Sequence, residues 1–170
     1  MNTEFFQNLF PYGKGILQAF ASSDKGRFRQ ENQDNFLILK PENNRTCSCS
    51  LMEEQFQQVD VEWSKRYVRV VVADGMGGHE GGQEISRAAV TKLMQIPPQT
   101  SPAAMRSVIL KLHKTLQSQF SAKGGKSPGT TLIMADVKRR SGKGVMLSVG
   151  DSRALLLRKN RWCQLTRDHN

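Results

Sequence analysis

Chemistry in this chain of 170 residues concentrates where its most apolar stretch ends. Val70-Val71-Val72-Ala73 runs into Asp74, and Gly75-Met76-Gly77-Gly78-His79-Glu80-Gly81-Gly82 follows. A strand delivers the carboxylate to its tip, and glycines then let the backbone turn sharply with its carbonyl oxygens unshielded. Carboxylate and carbonyl oxygens together are ligands for a hard divalent cation. Taken alone, the run serves equally well as an ordinary Asp-Gly turn. Nucleotide binding fails on spacing. The dinucleotide fingerprint needs a glycine where Glu80 stands, and a P-loop ending at Gly125-Lys126-Ser127 needs one where Phe120 stands.

Three further segments carry weaker signals. In Arg27-Phe28-Arg29-Gln30-Glu31-Asn32-Gln33-Asp34, a planar guanidinium suited to gripping phosphate precedes a carboxylate. By itself this stretch is more simply a polar connection between two strands. Pro128-Gly129-Thr130-Thr131 opens a later strand, and Ser148-Val149-Gly150-Asp151-Ser152-Arg153 is a strand, a tight turn with a carboxylate at its tip, and another strand. Gly-Asp-Ser is ordinary hairpin chemistry when it stands alone.

In this order the segments resemble the protein phosphatase 2C family, in its bacterial form given Met76 and His79. The similarity runs through Arg29 to Asp34, Asp74 to His79, Gly129-Thr130-Thr131, Gly150 to Arg153, and Leu165-Thr166 with Asp168-His169. It covers about residues 15–170, apart from an N-terminal extension at 1–14 and a polar insertion at about 41–65. The resemblance implies a serine/threonine phosphatase that hydrolyses phosphoserine and phosphothreonine through a water activated by two divalent ions, Mn²⁺ or Mg²⁺, with a third, weaker ion beside them. It gives catalytic roles to Arg29, Asp34 and Asp74. Asp74 would bridge the ions, the Gly75 carbonyl would bind one, and Asp34 would act on the metal through water. Asp151 would hold the third ion, and Arg29 would bind the substrate phosphate. Asn32, Thr130 and Arg153 would be scaffolding.

Two positions depart from the family. Gln33 stands where many relatives have glutamate, and Met76 where animal members have a histidine, so water must protonate the leaving group unless His79 reaches in. The family also continues with a flap, a second Asp-Gly pair and a terminal Asp-Asn pair. None follows Asp151 here, so the expectation is the N-terminal part of a catalytic domain truncated at its C-terminus. Phosphorylated proteins made by a serine/threonine kinase would be its partners. The alternative is a non-catalytic phosphoprotein-binding or regulatory remnant that keeps Arg29.

The elements that position these residues follow from hydrophobic spacing. Strands are expected at Ile16–Ser22, Asn35–Lys40, Tyr67–Ala73, Thr130–Val137, Val145–Val149 and Arg153–Arg158. Ile85, Ala88, Ala89, Lys92, Leu93 and Ile96 fall on one helical face that Pro97-Pro98 ends. Ser101-Pro102 begins a second helix through Met105, Val108, Ile109, Leu112, Leu116 and Phe120. A short helix is expected through Phe5–Phe10, and a long polar connection with a helical turn near Met52–Gln57. Strands, two helices, then strands predict an α+β fold of antiparallel sheets covered by helices. The resemblance sharpens this to a β-sandwich flanked by helices, a four-layer αββα fold lacking its C-terminal part.

Composition excludes little else. The hydrophobic fraction of 38% and charged fraction of 24% suit a soluble monomer, and no apolar run or leader suggests a membrane or export, so the expected compartment is the cytoplasm. Three cysteines without zinc-site spacing argue for reduced thiols rather than a metal or disulfide scaffold. The net charge of +10 is spread along the chain without interleaved aromatics, so nucleic acid is not an expected partner.

Overall fold

Alternation along the central strand sets the architecture. In β5 (Tyr67–Met76) the side chains of Arg69, Val71 and Ala73 are buried on one face, while Val72 and Asp74 on the other are exposed. A computed structural model describes residues 2–6, 17–42, 45–52, 55–60, 63–77, 81–121 and 127–169, with side chains for 17–41, 63–77, 81–121 and 127–169. Around β5 lie β1 (Asn2–Phe6), β2 (Asp34–Glu42), β3 (Arg45–Met52), β4 (Gln55–Asp60), β6 (Gly129–Thr130), β7 (Leu132–Lys138) and β8 (Gly144–Val149). They form one antiparallel sheet in the order β1-β8-β7-β5-β2-β3-β4, with β6 pairing the end of β5. A separate hairpin joins β9 (Leu155–Arg158) to β10 (Arg161–Gln164). Its two turn residues, Lys159 and Asn160, both have positive φ (49° and 58°), as a tight hairpin turn requires.

The helices α1 (Gly81–Met94) and α2 (Pro102–Phe120) cover the Arg69–Val71–Ala73 face. Ile85, Ala89, Val90 and Leu93 of α1 and Met105, Ile109, Leu112 and Leu116 of α2 pack with Leu37, Leu39, Val71, Leu132, Met134 and Leu147 in one core cluster. Ser101 caps α2, its hydroxyl accepting from the Ala104 N–H at 3.2 Å. The opposite sheet face has its own small apolar cluster of Phe36 and Ile38 with Ala19 and Val70.

A buried charge ties α1 to the sheet. Arg69 is fully buried and uses all five guanidinium hydrogens: Nε and Nη2 donate to the Asp136 carboxylate at 2.7 Å each, Nη1 to the carbonyls of Leu93 and Ile96 at 2.6 and 2.7 Å, and Nη2 also to Pro97 at 3.0 Å. Trp63 lies over the guanidinium, 4.7 Å from ring centroid to Cζ. The orphan carbonyls at the C-terminal end of α1 thereby find donors.

Several expectations are corrected. Asn2–Phe6 is an edge strand on β8 and not the start of a short helix, and residues 7–10 lie outside the described ones. Residues 17–22 form no strand, and residue 16 is outside the described ones. The 41–65 segment is no long connection with a helical turn. It continues β2 and adds β3 and β4 as a meander, with Met52 and Gln57 in consecutive strands. Backbone pairing to β2 supplies what a polar composition does not advertise. The α+β class with antiparallel sheets and two helices holds. Among the described residues there is one principal sheet with both helices on one face, and the second layer of the expected sandwich is not formed.

Candidate functional site

Register places the carboxylates. Asp34 and Asp74 are directly paired residues of β2 and β5, so their side chains leave the same sheet face, the one away from the helices. Two like charges opposite one another on a sheet repel, an arrangement stability alone would not select. Asp34 begins its strand inside a turn in which its N–H donates to Asn32 Oδ1 at 3.1 Å, and Asn32 Nδ2 donates to Ser23 Oγ at 2.8 Å. The buried Asn35 donates to Ser86 Oγ at 3.0 Å, and that hydroxyl reaches the Gln33 carbonyl at 2.7 Å. The loop carrying Arg29 is thus anchored on α1.

The glycines after Asp74 are required by contact. A Cβ on Gly75 would stand 2.0 Å from the carbonyl oxygen of Gly82, and one on Gly82 would stand 2.6 Å from Gln33 Oε1. Strand end and helix start therefore meet backbone to backbone. Gly77 has a φ of +139°, and a Cβ there would meet Pro128 Cα at 2.8 Å. From the other side, the Thr131 N–H and the Thr130 hydroxyl both donate to the Asp74 carbonyl, at 2.8 and 3.0 Å. The Asp74 N–H in turn donates to Thr131 Oγ1 at 3.0 Å. The backbone of Asp74 is held on both edges while its side chain is left exposed.

A hollow of about 830 Å³ lies over this point, with Arg29, Asp34, Asp74, Gly75, Met76 and Asp151 in its lining. Asp24, Lys25 and Glu31 line it too, and sequence reasoning gave them no part. Crowding by protein raises the Asp74 carboxyl above the ordinary carboxylate value, helped by the charge and hydrogen bonding of Asp34 and the charge of Asp151, and opposed by the Arg29 guanidinium. Asp151 sits at the tip of the β8–β9 turn, after Gly150 with φ +95°. Arg153 points instead to Asp168, Nη2 to Oδ2 at 2.6 Å, which holds the exposed Asp168 carboxyl below its ordinary value. Among the described residues, no three His, Cys, Asp or Glu side chains converge closely enough to hold an ion unaided. His79 lies outside the described residues.

Thr131, within the Gly129-Thr130-Thr131 motif, has no role legible in the sequence, yet its hydroxyl reaches both Asp74 and Ser152. Ser86 was missed as well, because a serine on a helix face carries no signal until the loop it ties down is seen.

An antiparallel sheet backed by two helices thus carries a carboxylate pair and an arginine around one hollow. The protein phosphatase 2C family model matches residues 55–170, and the chain belongs to that family. It is 29% identical over 166 residues to the serine/threonine phosphatase stp of Listeria welshimeri, covering 91% of this chain and 55% of that protein. It is 30% identical over 166 residues to the stp of Listeria monocytogenes serotype 4b, with the same coverage of 91% and 55%. The chain therefore spans about half the length of the curated relatives it matches. In fold it is similar to a bacterial serine phosphatase crystallised with an R161A mutation, with a TM-score of 0.59 and 24% identity over 92% of this chain and 64% of that one.

Proposed function

We propose that this chain supplies the Arg29, Asp34, Asp74 and Asp151 part of the centre of a metal-dependent phosphatase acting on phosphoserine and phosphothreonine in cytoplasmic proteins. One observation carries the reading: Asp34 and Asp74 are paired across β2 and β5 at a hollow that Asp151 and Arg29 also line. The donors fit Mn²⁺ or Mg²⁺, since all are hard oxygens. Burial first, and then the charges of Asp34 and Asp151, raise the Asp74 carboxyl, and a cation would relieve that repulsion. Asp74 and the Gly75 carbonyl would hold the ions directly, with Asp34 acting through water and Asp151 toward a third. Bound divalent ions supply an activated water and neutralise charge on the phosphoryl group.

The chain's own residues do the rest. Arg29, on a loop anchored to α1 through Gln33, Asn35 and Ser86, orients the phosphoryl oxygens. Asp34 would orient water bound to the ions. Met76, 53% exposed at the rim, offers no proton, so the departing serine or threonine oxygen takes its proton from solvent. Mn²⁺-dependent release of phosphate from a phosphothreonine peptide and from p-nitrophenyl phosphate tests this, and Asp74→Asn is expected to reduce turnover to background. Undiminished turnover in that variant sinks the mechanism.

Because no three carboxylates converge unaided among the described residues, a second reading stands: a phosphoprotein-binding module that keeps Arg29 without turnover. It predicts phosphopeptide affinity that survives a chelator and is lost in Arg29→Ala.

A further inference from the structure

We propose that Thr131 is a positioning residue whose hydroxyl relays hydrogen bonding between the two carboxylate-bearing turns and fixes Asp151 relative to Asp74. The inference rests on the site reading above. The Asp74 amide has one hydrogen and gives it to Thr131 Oγ1 at 3.0 Å, so the threonine hydroxyl accepts there. Its own proton is then free for Ser152 Oγ, 2.7 Å away and next in chain to Asp151. The Thr131 N–H closes the arrangement by donating to the Asp74 carbonyl at 2.8 Å.

The rest of the side chain contributes by shape. Thr131 is 1% exposed, so no solvent competes for the hydroxyl. Its methyl carbon fills the space beside Gly150: a Cβ built on Gly150 would stand 2.8 Å from Thr131 Cγ2. Gly150, at φ +95°, starts the turn that Asp151 tips. One side chain therefore contacts the backbone of one candidate metal-binding turn through its hydroxyl. It contacts the other through hydroxyl and methyl together. Serine keeps the relay and loses the wedge; valine keeps the wedge and loses the relay.

The test combines metal-free NMR with Mn²⁺ titration on Thr131→Val, Ser152→Ala, the double variant and Thr131→Ser. Without metal, Ser152→Ala should shift the Asp74 amide resonance and speed its exchange, although the two residues are far apart in sequence. Thr131→Val should likewise shift the amides of Asp151 and Ser152. Each single variant should weaken Mn²⁺ binding about tenfold, the usual effect of removing an outer hydrogen-bond partner. The double variant should be no weaker than Thr131→Val, because one relay is lost once. Thr131→Ser should stay within about threefold of the native chain, since the hydroxyl relay survives. An Asp74 amide unmoved by Ser152→Ala, or two independent tenfold losses that multiply in the double variant, overturns the relay. If the native chain binds no Mn²⁺, the metal reading fails by itself, and the metal-free amide shifts still decide whether Thr131 couples the turns.

Discussion

Asp74 shows how a proposed metal ligand can oppose the fold that carries it. Its carboxyl is raised by crowding and by Asp34 and Asp151, so the native state binds that proton more tightly than the unfolded chain does. The resulting contribution to stability is fully present below the unfolded carboxylate value and is lost as pH rises through the raised native value. In the metal-free chain, Asp74→Asn should therefore melt with the native protein in acid and above it at neutral pH. Thermal melts across that window in a chelator check this, and a variant that melts lower at neutral pH contradicts it. Mn²⁺ affinity should fall on acidification through the same window, because proton and cation compete for one carboxylate. At this scale the family resemblance in the sequence pointed to Arg29, Asp34, Asp74 and Asp151, and the fold brings all four to one hollow. Thr131 and Ser86 stayed hidden because a hydroxyl acquires its role only from neighbours that folding brings to it.

Elements were legible where hydrophobic spacing was strong and ambiguous where pairing alone decides. The stripe of Ile85, Ala89 and Leu93 marked α1 with its proline stop, and Met105, Ile109, Leu112 and Leu116 marked α2 behind Ser101. By contrast, Arg45–Met52 and Gln55–Asp60 are polar strands that become strands by extending the sheet from β2. Arg69 carries no signal of its own within the Tyr67–Ala73 strand, yet it is the clamp between β5, Asp136 and the end of α1. Removing one partner of a fully buried pair leaves a charge without its counterion, so Asp136→Ala should cost about 3–5 kcal/mol in chemical denaturation. Arg69→Lys should also be costly, because an ammonium cannot serve five acceptors in one plane. Gly75→Ala should destabilise by about 3 kcal/mol, since its methyl would enter the Gly82 backbone and force the start of α1 off the strand. Near-native stability in either Asp136→Ala or Gly75→Ala would contradict the packing described here.

For the molecule as a whole, charge and site belong to different arguments. The net charge of +10 is carried by bases spread along the chain, a pattern that would draw polyanions by charge alone. Retention of DNA or RNA should be sequence-independent and vanish near 0.15 M salt, and sequence-selective binding that persists there would reopen the question. No helix among the described residues is long and apolar enough to cross a membrane. What the sheet does achieve is to present one face to two helices and leave the other to the paired carboxylates of its two central strands.

The place where a cation binds decides between a metal centre and a bare carboxylate pair. Crystals soaked in Mn²⁺ and measured at the manganese absorption edge should show an anomalous peak within coordinating distance of the Asp74 carboxylate and the Gly75 carbonyl. Asp34 should lie one water further out. Manganese found only at surface carboxylates, with Asp74 and Asp34 still facing one another bare, would contradict it.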